Sequence, residues 1–207
     1  MKTTGIILAG GKNLRMGQNK AFLEVQGERI IDRIKRILVE LFDEVLLVTN
    51  SPPDYLDLNL RTVTDLYREK GSLGGIFTGL FHASFSHAFV AACDMPFLRP
   101  SLISHLVRLS PGYDIVIPRT EDGLQPLHAV YSRKCLPFME DLLRKGNLKI
   151  LDFFHQVKKR EVPSGEILPL DPQLASFLNL NTPEDLARIQ SFLSVDPHPY
   201  IYMERRK

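Results

Sequence analysis

Three short apolar runs, each closing on glycine or on a polar residue, restrict this chain more than any other feature. They are "TGIILAG" at 4–10, "DEVLLVTN" at 43–50 and "HAFVAACDMP" at 87–96. Their cores are continuously apolar, as expected of strands covered on both faces. Such strands need helices above and below. "ERIIDRIKRILVELF" supplies one, with Ile30, Ile34, Ile37, Leu38 and Leu41 on a single face. "SLGGIFTGLFHASF" reads as a second despite its glycines, and "RPSLISHLVRL" as a third, with Pro100 in its first turn. Strand and helix alternate four times, which predicts an α/β fold of three layers, α/β/α, on a mainly parallel, mixed sheet.

The remaining segments extend the pattern. "RTVTD", "DIVIPR" and "LHAVYS" read as strands, "REVP" as an edge strand, and "KCLPFMEDLLRK" and "KILDFFHQVKK" as helices. "SPPDYLDLNL" reads as a loop whose proline pair excludes helix. Thr182, Pro183 and Asp185 form a start signal for a last helix. Without repeats or an internal linker, 1–194 is expected to be one domain, followed by a loose or surface-docked tail at 195–207.

Composition excludes several classes. Lys and Arg total 26 against 24 Asp and Glu, a formal charge of +2 spread along the chain, so neither nucleic-acid binding nor a membrane-surface role is expected. No apolar run approaches the roughly eighteen residues of a membrane span. "MKTT" leads straight into a strand, with no signal peptide, so a cytoplasmic protein is expected. The two cysteines, Cys93 and Cys135, read as buried free thiols, and the six histidines form no pair at ligand spacing.

Parallel α/β sheets bind ligands beyond the carboxyl ends of their strands. The polar residues directly after the strands are therefore the candidates: the glycine loop, Asn50, Asp65 and Asp94. "LAGGKNLRMGQNK" combines small residues, which expose backbone N–H groups to an anion, with the cations Lys12, Arg15 and Lys20. It fits neither GxxxxGK[ST] nor GxGxxG. Three cations favour a triphosphate, although Lys12 reads more readily as a solvated loop lysine than as a phosphate ligand. Asp94, ending a buried strand, is costly there unless paired or on a metal. One carboxylate shared with substrate phosphates suits Mg²⁺, and a turn-stabilising role is the plain alternative.

Together these motifs resemble the MobA family of molybdenum cofactor guanylyltransferases, within the NTP-transferase superfamily. "LAGGKNLRMGQNKAFL", "TDLYREKGSLGGIFTGL", "AACDMPFL", "LQPLHAVY" and "FLNLNTPEDL" match its signatures in order, over roughly residues 4–190. Two departures are Asn19, where the family usually has Asp, and "GSLGG" in place of GPLAG. The resemblance implies a Rossmann-like nucleotidyltransferase fold. It implies transfer of GMP from GTP to the phosphate of the molybdopterin cofactor, with Mg²⁺. It implies that Leu8, Ala9, Gly10 and Gly11 line the nucleotide, and that Arg15 and Lys20 hold phosphates. Asp65 would contact base or ribose, and Asp94 would bind the metal. Gln125, Asn179 and Asn181 would lie on the acceptor side, and a cofactor-delivery or acceptor protein fits such a family. Two alternatives stay open: a cytidylyltransferase acting on molybdopterin or on a sugar or polyol phosphate, and a nucleotide-binding module without turnover.

Overall fold

The computed structural model describes residues 2–10, 19–180 and 185. Its centre is β1 (Thr4–Leu8), flanked on both sides by parallel partners, β4 (Glu44–Val48) and β6 (His87–Ala92). A small antiparallel hairpin, β2 (Glu24–Val25) with β3 (Glu28–Arg29), precedes β4 in the chain. The short β5 (Arg61–Val63) adds in parallel to β4. Beyond β6 the direction reverses. β9 (His128–Ser132) runs antiparallel to both β6 and β7 (Ile115–Thr120), and β10 (Lys159–Pro163) closes the edge in parallel with β7. The order is β10-β7-β9-β6-β1-β4-β5, with the two-residue β8 (Gly123–Leu124) attached to β7.

The period of two along each strand divides the core into two layers. Ile7, Leu47, Phe89 and Ala91 face one layer, with α1 (Ile30–Leu41) and α3 (Pro100–Leu109). Ile6, Leu8, Leu46, Val48 and Val90 face the other, with α2 (Gly71–His82) and α4 (Leu136–Arg144). Right-handed crossovers account for the sides. The chain moves outward from β1 through α1 to β4 and β5. It then returns through α2 to β6 on the far side of β1, which puts α2 on the opposite face. The crevice between β1 and β6 is thus the point where strand order reverses.

The longer strand and helix assignments agree with the sequence reading; the differences lie in short elements, among them the β2–β3 hairpin, which was not read. Residues 52–58 form 3-10 turns, kinked at Tyr55, because prolines at the first helical positions sacrifice no hydrogen bond. Residues 150–156 wind as 3-10 rather than α-helix, with Phe153 and Phe154 buried. β8 escaped notice because two residues carry no periodicity. A four-residue α5 (Ser164–Ile167) follows β10. The helix start at Thr182 and Pro183 and the tail at 195–207 lie outside the described residues.

α2 retains glycine where helix propensity favours alanine, and packing supplies the reason. A Cβ on Gly79 would lie 2.8 Å from both Cδ1 and Cγ2 of the fully buried Ile6, and one on Gly75 would lie 3.2 Å from Leu8 Cδ2. The glycines let α2 press against β1. A Gly79→Ala variant gains about 1 kcal/mol of helix propensity but overpacks a β-branched neighbour at about 1–3 kcal/mol. We expect net destabilisation of about 1–2 kcal/mol, read as a lower urea midpoint at unchanged slope.

His128 is fully buried between Phe89 (5.0 Å) and Phe177 (5.2 Å), and neither ring nitrogen has a hydrogen-bond partner among the described residues. Burial pushes its pKa down to about 3 from 6.5. The folded value is depressed, so the unfolded chain binds a proton first as pH falls. The contribution of this histidine is complete above about pH 6.5 and is lost as pH drops from there toward about 3. Between about pH 7.5 and about pH 5, urea titration should show wild type losing about 2 kcal/mol more than a His128→Phe variant.

Candidate active site

The ladder on either side of β1 places the strand ends in one row. Leu8 pairs with Val48 and with Ala92, and Val48 with Val63. Three further bonds carry the alignment one residue past the strands: Ala9 N–H to Val48 O (2.8 Å), Thr49 N–H to Val63 O (3.0 Å) and Cys93 N–H to Leu8 O (3.0 Å). Gly10, Asn50, Asp65 and Asp94 consequently open onto a single cavity of about 210 Å³. Leu8 lines its floor, and Glu69, Gly71, Ser72 and Gly75, at the entry to α2, form one wall. The opening strand and the acid that follows β6 thus share one site.

Asp65 is held by Asn50, whose Nδ2 donates to Oδ2 at 2.8 Å. Its Oδ1 is buried and has no hydrogen-bond partner among the described residues. Burial pushes the carboxyl above its ordinary range, and the Asn50 bond pulls it partly back. Gly10 and Gly75 flank it at ordinary contact distance. A Cβ on Gly10 would stand 3.8 Å from Oδ2, and one on Gly75 the same distance from Oδ1. Asp65 lines the cavity, and a carboxylate there is an acceptor for a ligand N–H or O–H.

Asp94 is half-buried, and burial is the main cause that raises its pKa. Its own backbone N–H and the charge of Lys20 lower it, while Asp185 raises it. Lys20 is 6% exposed and opens a short 3-10 turn, Lys20–Phe22, capped by Asn19. The side chain of Lys20 does not line the cavity, but its charge is felt at Asp94. Among the described residues no three His, Cys, Asp or Glu side chains come together to cage a metal. The donor set therefore does not fit a closed protein site. It fits Mg²⁺ held by one carboxylate together with phosphate oxygens and water.

The other expected residues divide. Asn179 lies beside Asp94, because the next residue, Leu180, donates its N–H to Asp94 O at 2.9 Å. Asn179 Oδ1 is buried without a partner among the described residues. Gln125 donates through Nε2 to Thr120 Oγ1 (2.9 Å) within the β7–β8 hairpin region and does not line the cavity. Ala9, 4% exposed, has its N–H committed to the sheet. Gly11, Lys12, Arg15 and Asn181 lie outside the described residues. Asn50 had been noted only for its position after a strand, and here it fixes Asp65. Glu69 gave no sequence signal: it takes a left-handed backbone, φ 59°, which turns the chain at the cavity wall.

Comparison with known proteins agrees with this geometry. The family described as the MobA-like NTP transferase domain matches residues 5–160, from β1 into β10. A probable molybdenum cofactor guanylyltransferase from Pelotomaculum thermopropionicum is 42% identical over 188 residues, covering 91% of this chain and 92% of that protein. A molybdenum cofactor guanylyltransferase from Desulfosudis oleivorans is 39% identical over 190 residues, covering 91% and 94%. The crystal structure of molybdopterin-guanine dinucleotide biosynthesis protein A from Archaeoglobus fulgidus superposes with a TM-score of 0.81 at 29% identity, over 93% of this chain and 100% of that one. The Rossmann-like sheet, the cavity at its switch point and these matches over most of the chain lead to one conclusion: the chain belongs to the MobA-like NTP transferase family and is a nucleotidyltransferase.

Proposed function

We propose that this protein transfers GMP from GTP to the terminal phosphate of the molybdopterin cofactor, releasing pyrophosphate. The observation that carries the reading is the convergence of Gly10, Asp65 and Asp94 on the cavity at the β1–β6 switch point, in a chain matched over 91% of its length by relatives of that name. An oxygen of the acceptor phosphate attacks the α-phosphorus. The new P–O bond forms as the bond from that phosphorus to its bridging oxygen breaks, and the electron pair leaves with pyrophosphate. No protein nucleophile is needed.

The work left to the protein is screening and alignment of two anions. Lys20, whose charge is felt at Asp94, supplies a positive charge from a buried position, and Arg15 is assigned the same task. The Asp65 carboxylate receives an N–H of the base or a ribose hydroxyl and is kept in orientation by Asn50. Mg²⁺ held by Asp94 would supply charge that offsets the phosphates as they approach. Asn179, next to Asp94, marks the acceptor side, and Asn181 and Gln125 belong to the same assignment. No helix among the described residues is long and apolar enough to cross a membrane, and the substrates we assign are polyanions.

Two outcomes test this reading. Asp94→Asn keeps the shape and removes the charge. With GTP, Mg²⁺ and purified acceptor, pyrophosphate release should fall by about 100-fold or more, whereas GTP affinity falls by less than about tenfold. Unchanged turnover would remove the metal assignment, and GTP binding without any release in wild type would favour a non-catalytic module. In the second test each NTP is supplied in turn, and release from GTP should exceed that from CTP by at least about tenfold. Preference for CTP would replace the guanylyl reading with a cytidylyl one.

A further inference from the structure

We propose that the hydrogen bond between Asn19 and Tyr55 is a latch that positions Lys20, making both residues positioning residues for the phosphate-binding cation. The inference rests on the reading of Lys20 given above. Asn19 stands immediately before Lys20 and makes two bonds with its side chain. Oδ1 accepts from Ala21 N–H at 3.2 Å, and Nδ2 donates to Tyr55 Oη at 2.8 Å. The first bond settles the orientation of the amide, since a backbone N–H can only donate, and so directs Nδ2 to the tyrosine.

Tyr55 belongs to the 52–58 segment, 36 positions away in sequence, and is 2% exposed. Burial pushes its pKa up to about 12, so the hydroxyl stays protonated at neutral pH. Two further contacts join the same pieces. The Tyr55 ring packs on Phe22 at 5.1 Å, and Arg29, lying over Phe22 at 5.4 Å, pairs with Asp57. The turn bearing Lys20 is therefore gripped from a separate segment of the chain. A lysine is a flexible point charge whose usefulness depends on where its stem begins. Fixing the residue before it restricts where the ammonium can stand.

The latch requires a polar side chain at position 19 and is met by an amide or a carboxylate. An aspartate there would still accept from Ala21 N–H, and its second oxygen would accept from the Tyr55 hydroxyl. The bond would survive with its polarity reversed. An apolar side chain would lose both bonds.

The experiment measures GTP affinity in the presence of Mg²⁺ for wild type, Tyr55→Phe, Lys20→Ala and the double variant, with amide hydrogen exchange at Ala21 as a separate readout. Tyr55→Phe keeps the ring contacts. It should speed exchange at Ala21 and weaken GTP binding about tenfold in the wild-type background. With Lys20→Ala already present it should weaken binding less than about twofold, because the tyrosine acts through that lysine. Asn19→Leu should behave as Tyr55→Phe does, and Asn19→Asp should restore Ala21 protection and GTP affinity. A Tyr55→Phe effect of equal size in both backgrounds, or unchanged Ala21 exchange, overturns the latch while leaving Lys20 in its role. If Lys20→Ala itself does not weaken GTP binding, the assignment of Lys20 falls, and the latch falls with it.

Discussion

The parallel ladder on both sides of β1 is the constraint on which the site depends. It sets Leu8 opposite Val48 and Ala92, and with them the residues that follow. Side chains alternate along a strand, so a slip of one residue would turn Ile6 and Ile7 to the wrong layers. Both are fully buried, Ile6 in the layer that holds α2 and α4, Ile7 in the layer that holds α1 and α3. Two dry layers thus enforce the register. The same register brings Gly10, Asn50, Asp65 and Asp94 to one cavity. Core packing and site geometry are here a single constraint.

The site is where local rules are broken. Glycine interrupts α2 so that the helix can approach β1, and Glu69 takes a backbone conformation that costs free energy outside glycine. Burial opposes ionisation at both Asp65 and Asp94, and both residues line the cavity. Such costs are expected where a ligand completes the hydrogen bonding. His128 shows that burial of an unpaired polar group is not by itself a mark of function. It is as unsatisfied as any group here, yet it is packed between two phenyl rings and does not line the cavity.

Much of the fold was legible because periodicity is local. The apolar runs at 4–10, 43–50 and 87–96 could only be buried strands, and the spacing of Ile30, Ile34 and Ile37 could only face one layer. The 3-10 stretches at 52–58 and 150–156 were not legible, since runs that short carry no distinctive repeat and depend on what packs over them. Of the site, Asp65 and Asp94 could be picked out by their places after strands. The task of Asn50 could not, because nothing near it in sequence says that its amide will meet Asp65. Gln125 shows the converse: it lies within a family motif, yet its amide bonds to Thr120 in its own hairpin region.

By itself the sequence determined which segments are strands, which helical faces are apolar, and that a cationic glycine loop precedes the first helix. Those properties are written within a few residues of one another. Only the tertiary structure decided that Asn50 holds Asp65, that Leu180 binds Asp94 and that Asn19 reaches Tyr55. Each of those bonds joins segments that are remote in the chain. Whether they form depends on strand order, register and the side on which each crossover packs, and no local pattern of residues encodes that sum.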